Sequence, residues 1–434
     1  MSHSLKALYH TFGCKLNFAE TASVERLFCE HGITTAAKGE QPDYIVINSC
    51  SVTAEADRKC RSFIRSLNRR YPEAAILVTG CYAQLKPEEV SALPGVALVA
   101  GVNSKLRLID YVDGHCGRNA IEPDFKAAAE LREFMPSCSQ GDRTRYFLKV
   151  QDGCDYWCTY CTIPKARGRS RSGTIAGIVD QARRAADEGG REIVLTGVNI
   201  GDFGKGRDET FLDLCRELDK VDGIERYRIS SIEPNLLTDE IIDFVASSRS
   251  FMPHFHIPLQ SGSDRVLALM RRRYDTALYA AKIEKVRSTI PDAFIGIDLI
   301  VGARGESAEL FEKSRRFVES LPVSHVHVFP YSERPGTRAL EIDGVVDQAE
   351  KHRRVGVMTA LSAAKHADFA SRFLGTVRPV LLEHPRAGLP MGGFTDNYLR
   401  IEAELDPSND NLVRPMYLES LCEDGETVKA HLAV

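Results

Sequence analysis

The chain has 434 residues, 43% apolar and 27% charged, with 56 Lys and Arg against 60 Asp and Glu, a formal charge of −4. This is the composition of a globular protein of two to four domains, and no apolar run approaches the roughly 20 residues that a membrane span needs. The opening MSHSLKALYHTFGCKLN lacks the apolar core of a secretory signal, so a cytoplasmic location with no membrane partner is expected, where 12 cysteines point to metal or catalysis rather than disulfides.

In chain order, ALYHTF (7–12), YIVINS (44–49), AILVTG (75–80) and VALVAG (96–101) read as buried strands, with helical patterns such as 19–31 and 54–71 between them. That alternation predicts a parallel α/β sheet over residues 1–114. Residues 115–142 carry Gly, Pro and charge without a strong period and read as a linker. Over 143–372 six strand candidates, RYFLKVQ, REIVLTG, RYRISSI, HFHIPL, FIGIDLIV and HVHVFP, alternate with helical segments. The pattern predicts a partial TIM-like barrel of six βα units, open on one side. In residues 373–434, VRPVLLEH, YLRIEAEL, NLVRPMYLESL and ETVKAHLAV are divided by turn residues and predict a small antiparallel β-barrel.

Cys154, Cys158 and Cys161 stand as Cys-x-x-x-Cys-x-x-Cys after the first barrel strand, at the end of a βα barrel where chemistry is placed. A structural zinc would want a fourth ligand, and the nearest downstream histidine is the remote His254. A 4Fe–4S cluster held by three thiolates keeps one iron open to a small molecule. Cys14, Cys50 and Cys81 are far apart in sequence, yet each directly follows a strand of the N-terminal sheet, in HTFGC, VINSC and LVTGC. Parallel strands bring those ends to one edge, so three more thiols are expected to meet there. Cys29, Cys60, Cys116, Cys138, Cys215 and Cys422 lack such placement and receive no role.

The triplet QDGCDYWCTYC, with Tyr160 before its last cysteine, resembles the radical S-adenosylmethionine (SAM) enzymes, and with TFGCKLN, NSC and TGC ahead of it the chain resembles the methylthiotransferases among them. The resemblance implies two 4Fe–4S clusters, one at Cys154, Cys158 and Cys161 and an auxiliary one at Cys14, Cys50 and Cys81. SAM would fill the open iron of the first and be cleaved there to a 5′-deoxyadenosyl radical, while the auxiliary site would supply sulfur. It also implies cofactor contacts from Tyr160, Glu192, Ser231, Glu233 and Gln260, a C-terminal TRAM domain associated with RNA, and a reductant such as flavodoxin or ferredoxin. Lys15 and Asn17 bring GCKLN nearest the branch that acts at C2 of N6-threonylcarbamoyladenosine in tRNA. The other branches act on isopentenyladenosine or on a ribosomal protein Asp; a more distant reading is a non-catalytic, zinc-bound RNA-binding protein. GARGE (302–306) keeps Gly302, Gly305 and Glu306 of a common family turn but has Ala303 and Arg304 between them.

A tRNA partner requires cationic surface. Arg58, Arg61, Arg65 and Arg69 recur at helical spacing opposite Cys60, Ile64 and Leu67, and Lys165, Arg167, Arg169 and Arg171 follow the triplet. Residues 373–434 hold 5 Lys and Arg against 10 Asp and Glu, so RNA contact there falls to a local face near Arg378, Arg386, Arg400 and Arg414.

Overall fold

The near-continuous apolar runs at the start of the chain become four parallel strands, Lys6–Thr11, Tyr44–Ser49, Ala75–Gly80 and Val96–Val99, the last three buried on both faces as such runs require. These are seen in a computed structural model that describes residues 4–112, 120–122, 125–139, 144–386 and 388–433. Thr11 stands opposite Asn48, and Ser49 opposite Gly80, so the C-terminal ends of the first three strands are level. Thr34–Thr35 and Ala120–Ile121 add short parallel edges. The second lies within the stretch expected as a linker, which is thus partly woven into the sheet; Cys116 lies outside the described residues.

Between strands, Ala54–Arg70 is a helix for local reasons. Thr53 caps it by accepting from the Ala56 N–H at 3.1 Å, Glu55 and Asp57 sit in its first turn, and Arg69 and Arg70 in its last. Each placement suits the helix dipole. Cys60, Ile64 and Leu67 face the sheet, as the spacing requires.

Six parallel strands follow, Arg145–Lys149, Glu192–Thr196, Arg226–Ile229, His254–His256, Phe294–Val301 and His325–Pro330. They form two hydrogen-bonded groups, joined by the isolated bridges Tyr227–Phe251 and Ser231–His256. Beside the first strand runs a short antiparallel piece, Ser137–Cys138. The helix Lys15–Glu30 also packs on this side, where Ala19 meets Phe147 and Val194, so the N-terminal sheet and the barrel share an apolar seam.

The long helix Gln348–Ser371 leads to a closed barrel of five strands, Val377–Leu382, Met391–Thr395, Arg400–Ala403, Val413–Leu421 and Thr427–Leu432. The sequence predicts four of these and a wholly antiparallel barrel. Met391–Thr395 escapes because two glycines in MGGFT weaken its strand signal, and Arg400–Ala403 pairs with Thr427–Leu432 in parallel.

This small barrel docks against the N-terminal ends of the large barrel's strands. Arg226 donates to the Phe394 and Pro379 carbonyls, both at 2.9 Å, and Arg228 to the Asp396 and Thr395 carbonyls, both at 2.8 Å. Glu192 accepts from Arg228 Nε at 2.8 Å and is fully buried. That corrects the expectation of a cofactor contact at Glu192: it begins its strand, opposite Arg145, at the end of the barrel away from the cysteines. Arg378 is likewise engaged by Asp396 and Asp292 and does not offer a free cation to RNA. No helix among the described residues is long and apolar enough to cross a membrane.

Candidate active site

Cys14 caps the helix Lys15–Glu30, Cys50 follows the strand Tyr44–Ser49, and Cys81 opens the helix Cys81–Leu85. The level strand ends bring them together. A side chain on Gly13 would meet Cys50 Sγ at 2.7 Å, and the φ of +96° at this glycine turns the Cys14 loop over its neighbour. Burial, together with the adjacent Cys81 and Cys14 thiols, pushes the Cys50 thiol up to about 11. Burial raises Cys81 also, while Arg167 and Lys105 oppose the rise.

The second triplet lies in a loop that leaves and re-enters the barrel at one point, because the Cys154 N–H donates to the Gly168 carbonyl at 3.0 Å. Gly153, at φ +69°, has no room for a side chain, which would lie 2.1 Å from the Arg169 carbonyl oxygen. Each thiol accepts a hydrogen bond: Cys154 from the Tyr156 N–H at 3.3 Å, Cys161 from the Ile163 N–H at 3.4 Å, and Cys158 from Arg272 Nη1 at 3.1 Å. Arg272 is itself held by Glu233. Burial pushes Cys154 and Cys161 up to about 12 each, and the neighbouring thiols add to it.

The two sites face each other. Thr162, next to Cys161, reaches the carbonyl of Ser51, next to Cys50, at 3.4 Å. Arg334 Nη2 donates to Ser51 Oγ at 2.6 Å and to Asp57 Oδ2 at 3.0 Å, fastening the same junction. A buried charge cluster completes it. Glu20 of the N-terminal helix meets Lys105, Lys149 at 2.7 Å and Arg167 at 3.0 Å; Asp152 meets Lys149 at 2.8 Å and Arg167 at 3.0 Å. Burial pushes the Glu20 carboxyl up, but Arg167, Lys105 and Lys149 outweigh it and hold the group well below the usual carboxylate range.

From the Cys14 loop a cavity of about 720 Å³ runs into the barrel and on to the C-terminal barrel. That is within the range of small-molecule sites. Phe18, Phe147, Phe294, Phe394 and Tyr398 supply aromatic walls, and Lys15, Ser231 and five histidines supply polar ones.

Residues 6–101 match the model of Uncharacterized protein family UPF0004, and residues 148–318 that of the Radical SAM superfamily. The threonylcarbamoyladenosine tRNA methylthiotransferase MtaB of Bacillus subtilis is 38% identical over 91% of this chain and 89% of its own length. The protein of that name in Aquifex aeolicus is 34% identical, over 94% and 99%. A tRNA-2-methylthio-N(6)-dimethylallyladenosine synthase of Syntrophotalea carbinolica is 33% identical, over 87% and 89%. The chain belongs to the radical SAM tRNA methylthiotransferase family. Among solved structures, the radical SAM methyltransferase TsrM of Kitasatospora setae shares the fold, with a TM-score of 0.57 and 14% identity over 78% of this chain and 77% of that one.

A radical SAM methylthiotransferase is an enzyme that works with 4Fe–4S clusters and SAM, and the donor sets here fit that chemistry. Each has three thiols, and one receives N–H···S bonds at all three sulfurs, the kind of contact that sets a cluster's potential.

The remaining sequence candidates fall on both sides. Tyr160 packs with Val266, Met270 and Tyr331 behind the triplet. Ser231 lines the cavity, and Gln260 follows the strand His254–His256 with a φ of +66°. Arg58, Arg65, Arg69 and Arg169 are exposed, although Arg58 pairs with Glu55, and Arg61 bonds to Tyr82 and Glu89. Lys165 is tied to the Gly336 carbonyl. Arg167 and Arg171 correct the RNA-binding expectation. Arg167 is fully buried on Glu20, Asp152 and Asn17, and Arg171 is spent on Asp152, Asn103 and the Glu133 carbonyl. Sequence reasoning passes over Arg272 and the histidines. The alternations HFH (254–256) and HVH (325–327) are the signal that could have found the latter, since period two puts both histidines of each strand on one face.

Proposed function

We propose that this enzyme adds a methylthio group at C2 of N6-threonylcarbamoyladenosine beside the anticodon of tRNA. The observation that carries the reading is the adjacency of two three-thiol loops across the Ser51–Thr162 contact, with Cys14 at one end of a cavity with aromatic walls. In this reading Cys154, Cys158 and Cys161 hold the cluster that SAM completes, and Cys14, Cys50 and Cys81 hold the auxiliary cluster. When bound, these groups supply the radical and the sulfur.

The chain's own residues do the rest. Burial keeps the Cys50, Cys154 and Cys161 thiols protonated at neutral pH, so loading either site releases protons. Arg272, fixed by Glu233, bonds to Cys158 and places positive charge beside an anionic centre. Ser231 lines the cavity where SAM would approach, while Tyr160 backs the triplet from behind. Arg65, Arg69 and Arg169 are exposed cations available to phosphates, joined by Trp157, which is 60% exposed in the cysteine loop and offers a face for a base to stack on. The electron comes from a low-potential carrier such as flavodoxin or ferredoxin, and the reaction takes place in the cytoplasm.

The test is product analysis. Cluster-loaded enzyme with SAM and dithionite is given tRNA bearing N6-threonylcarbamoyladenosine or, separately, isopentenyladenosine, and the nucleosides are read by mass spectrometry. The methylthio form of the first alone is expected; methylthiolation of the second alone, or of neither, contradicts the reading.

A further inference from the structure

The middle of the cavity carries polar groups for which sulfur transfer has no use. Lys15 lines it half-buried, and its ammonium makes no hydrogen bond or ion pair with any described residue. Its charge bears on His254, Asp298, His327 and Tyr398, which come from three barrel strands and the C-terminal barrel. Asp298 feels that charge, but His256 Nε2 already holds its carboxylate at 3.0 Å. The carboxylate that lines the cavity, Glu426, is exposed on the C-terminal barrel.

Two buried ring nitrogens, His254 Nδ1 and His366 Nδ1, have no hydrogen-bond partner, and both rings line the cavity at 5% and 8% exposure. Buried polar atoms without partners are rare, and a ligand that satisfies them is one of the few physical reasons to keep them. The aromatic walls suit a flat base; a free ammonium ringed by imidazoles suits an acidic arm bearing further polar atoms. An isopentenyl arm is wholly apolar and would bury these groups with nothing to pair them. A threonylcarbamoyl arm ends in a carboxylate beside a hydroxyl and an amide.

Resting on the substrate reading above, we propose that Lys15, with His254, His256 and His327 around it, receives the carboxylate of the threonylcarbamoyl arm and so decides which N6-modified adenosine is accepted. Lys15 is a specificity-determining residue in this assignment, distinct from the thiol beside it.

The test is a cycle of binding measurements on cluster-loaded protein with SAM and no reductant, so that nothing turns over. The probes are an anticodon stem–loop RNA carrying N6-threonylcarbamoyladenosine, the same RNA with the threonyl carboxylate converted to a carboxamide, and the unmodified RNA. Wild type is expected to prefer the carboxylate over the carboxamide by about 30-fold, as a charge-assisted hydrogen bond gives. Lys15→Gln is expected to cut that preference to about threefold or less, leaving carboxamide affinity unchanged, and Lys15→Arg to keep most of it. A Lys15→Gln protein that retains the full preference overturns the assignment, as does one whose loss falls on SAM affinity instead. A wild type that prefers the modified RNA over the unmodified one but ignores the carboxamide exchange overturns the assignment alone. Equal binding of all three RNAs overturns the substrate reading with it.

Discussion

Replacing Cys154, Cys158 and Cys161 together with Ala abolishes reductive cleavage of SAM, an expected fall of more than about 10⁴-fold, to background. The size follows from the site's construction. On the proposed reading the three thiols are the metal donors; they stand in a loop closed by the Cys154–Gly168 hydrogen bond, and no other cysteine lies in it. Because Cys14, Cys50 and Cys81 ride on the other sheet, the variant keeps the iron and the visible absorption of the auxiliary site. Iron analysis with chromatography of the SAM products checks both halves. A variant that still forms 5′-deoxyadenosine near the wild-type rate would remove the triplet from the chemistry.

Arg167→Met gives the largest expected loss of stability. Arg167 bonds at once to Asn17 and Glu20 of the N-terminal helix and to Asp152 of the barrel, beside Lys149, which bridges Glu20 and Asp152, and it is fully buried. Removing one partner of a buried ion cluster costs about 3–5 kcal/mol, a large share of the roughly 5–15 kcal/mol that holds a domain folded. The pH dependence has a defined sign. The folded-state pKa values of Glu20 and Asp152 are depressed, so their contribution is whole above the ordinary carboxylate range near about 4 and is lost as pH falls through the lower folded values. Without Arg167 the depression shrinks and acid unfolding begins at higher pH. Urea unfolding at neutral pH and an acid titration of the native fraction check this; an unchanged acid midpoint would show that Lys149 and Lys105 suffice.

The cysteines were legible because their positions follow from local rules. Three apolar runs each ending in a cysteine must bring those cysteines to one edge if the strands are parallel and level, and they are. The barrel strands announced themselves in the same way. What escaped depended on partners distant in sequence. Arg167 reads as one of four basic residues on a rim until Glu20, 147 residues away, is brought beside it. Glu192 follows two glycines just as a functional loop residue would, and only the register, opposite Arg145, shows it at the wrong end of the barrel. The histidine-lined cavity draws its walls from all three parts of the chain, so no single segment could display it.

The account turns on a division of labour between two thiol triplets. The measurement that tests it most directly is a single assay of the Cys14→Ala, Cys50→Ala, Cys81→Ala variant with SAM, dithionite and tRNA carrying N6-threonylcarbamoyladenosine, reading 5′-deoxyadenosine and methylthio-nucleoside from one reaction. The account predicts that 5′-deoxyadenosine still forms while no methylthio product appears. Methylthio product at the wild-type level would contradict it, and so would loss of SAM cleavage from a folded variant whose other triplet remains intact.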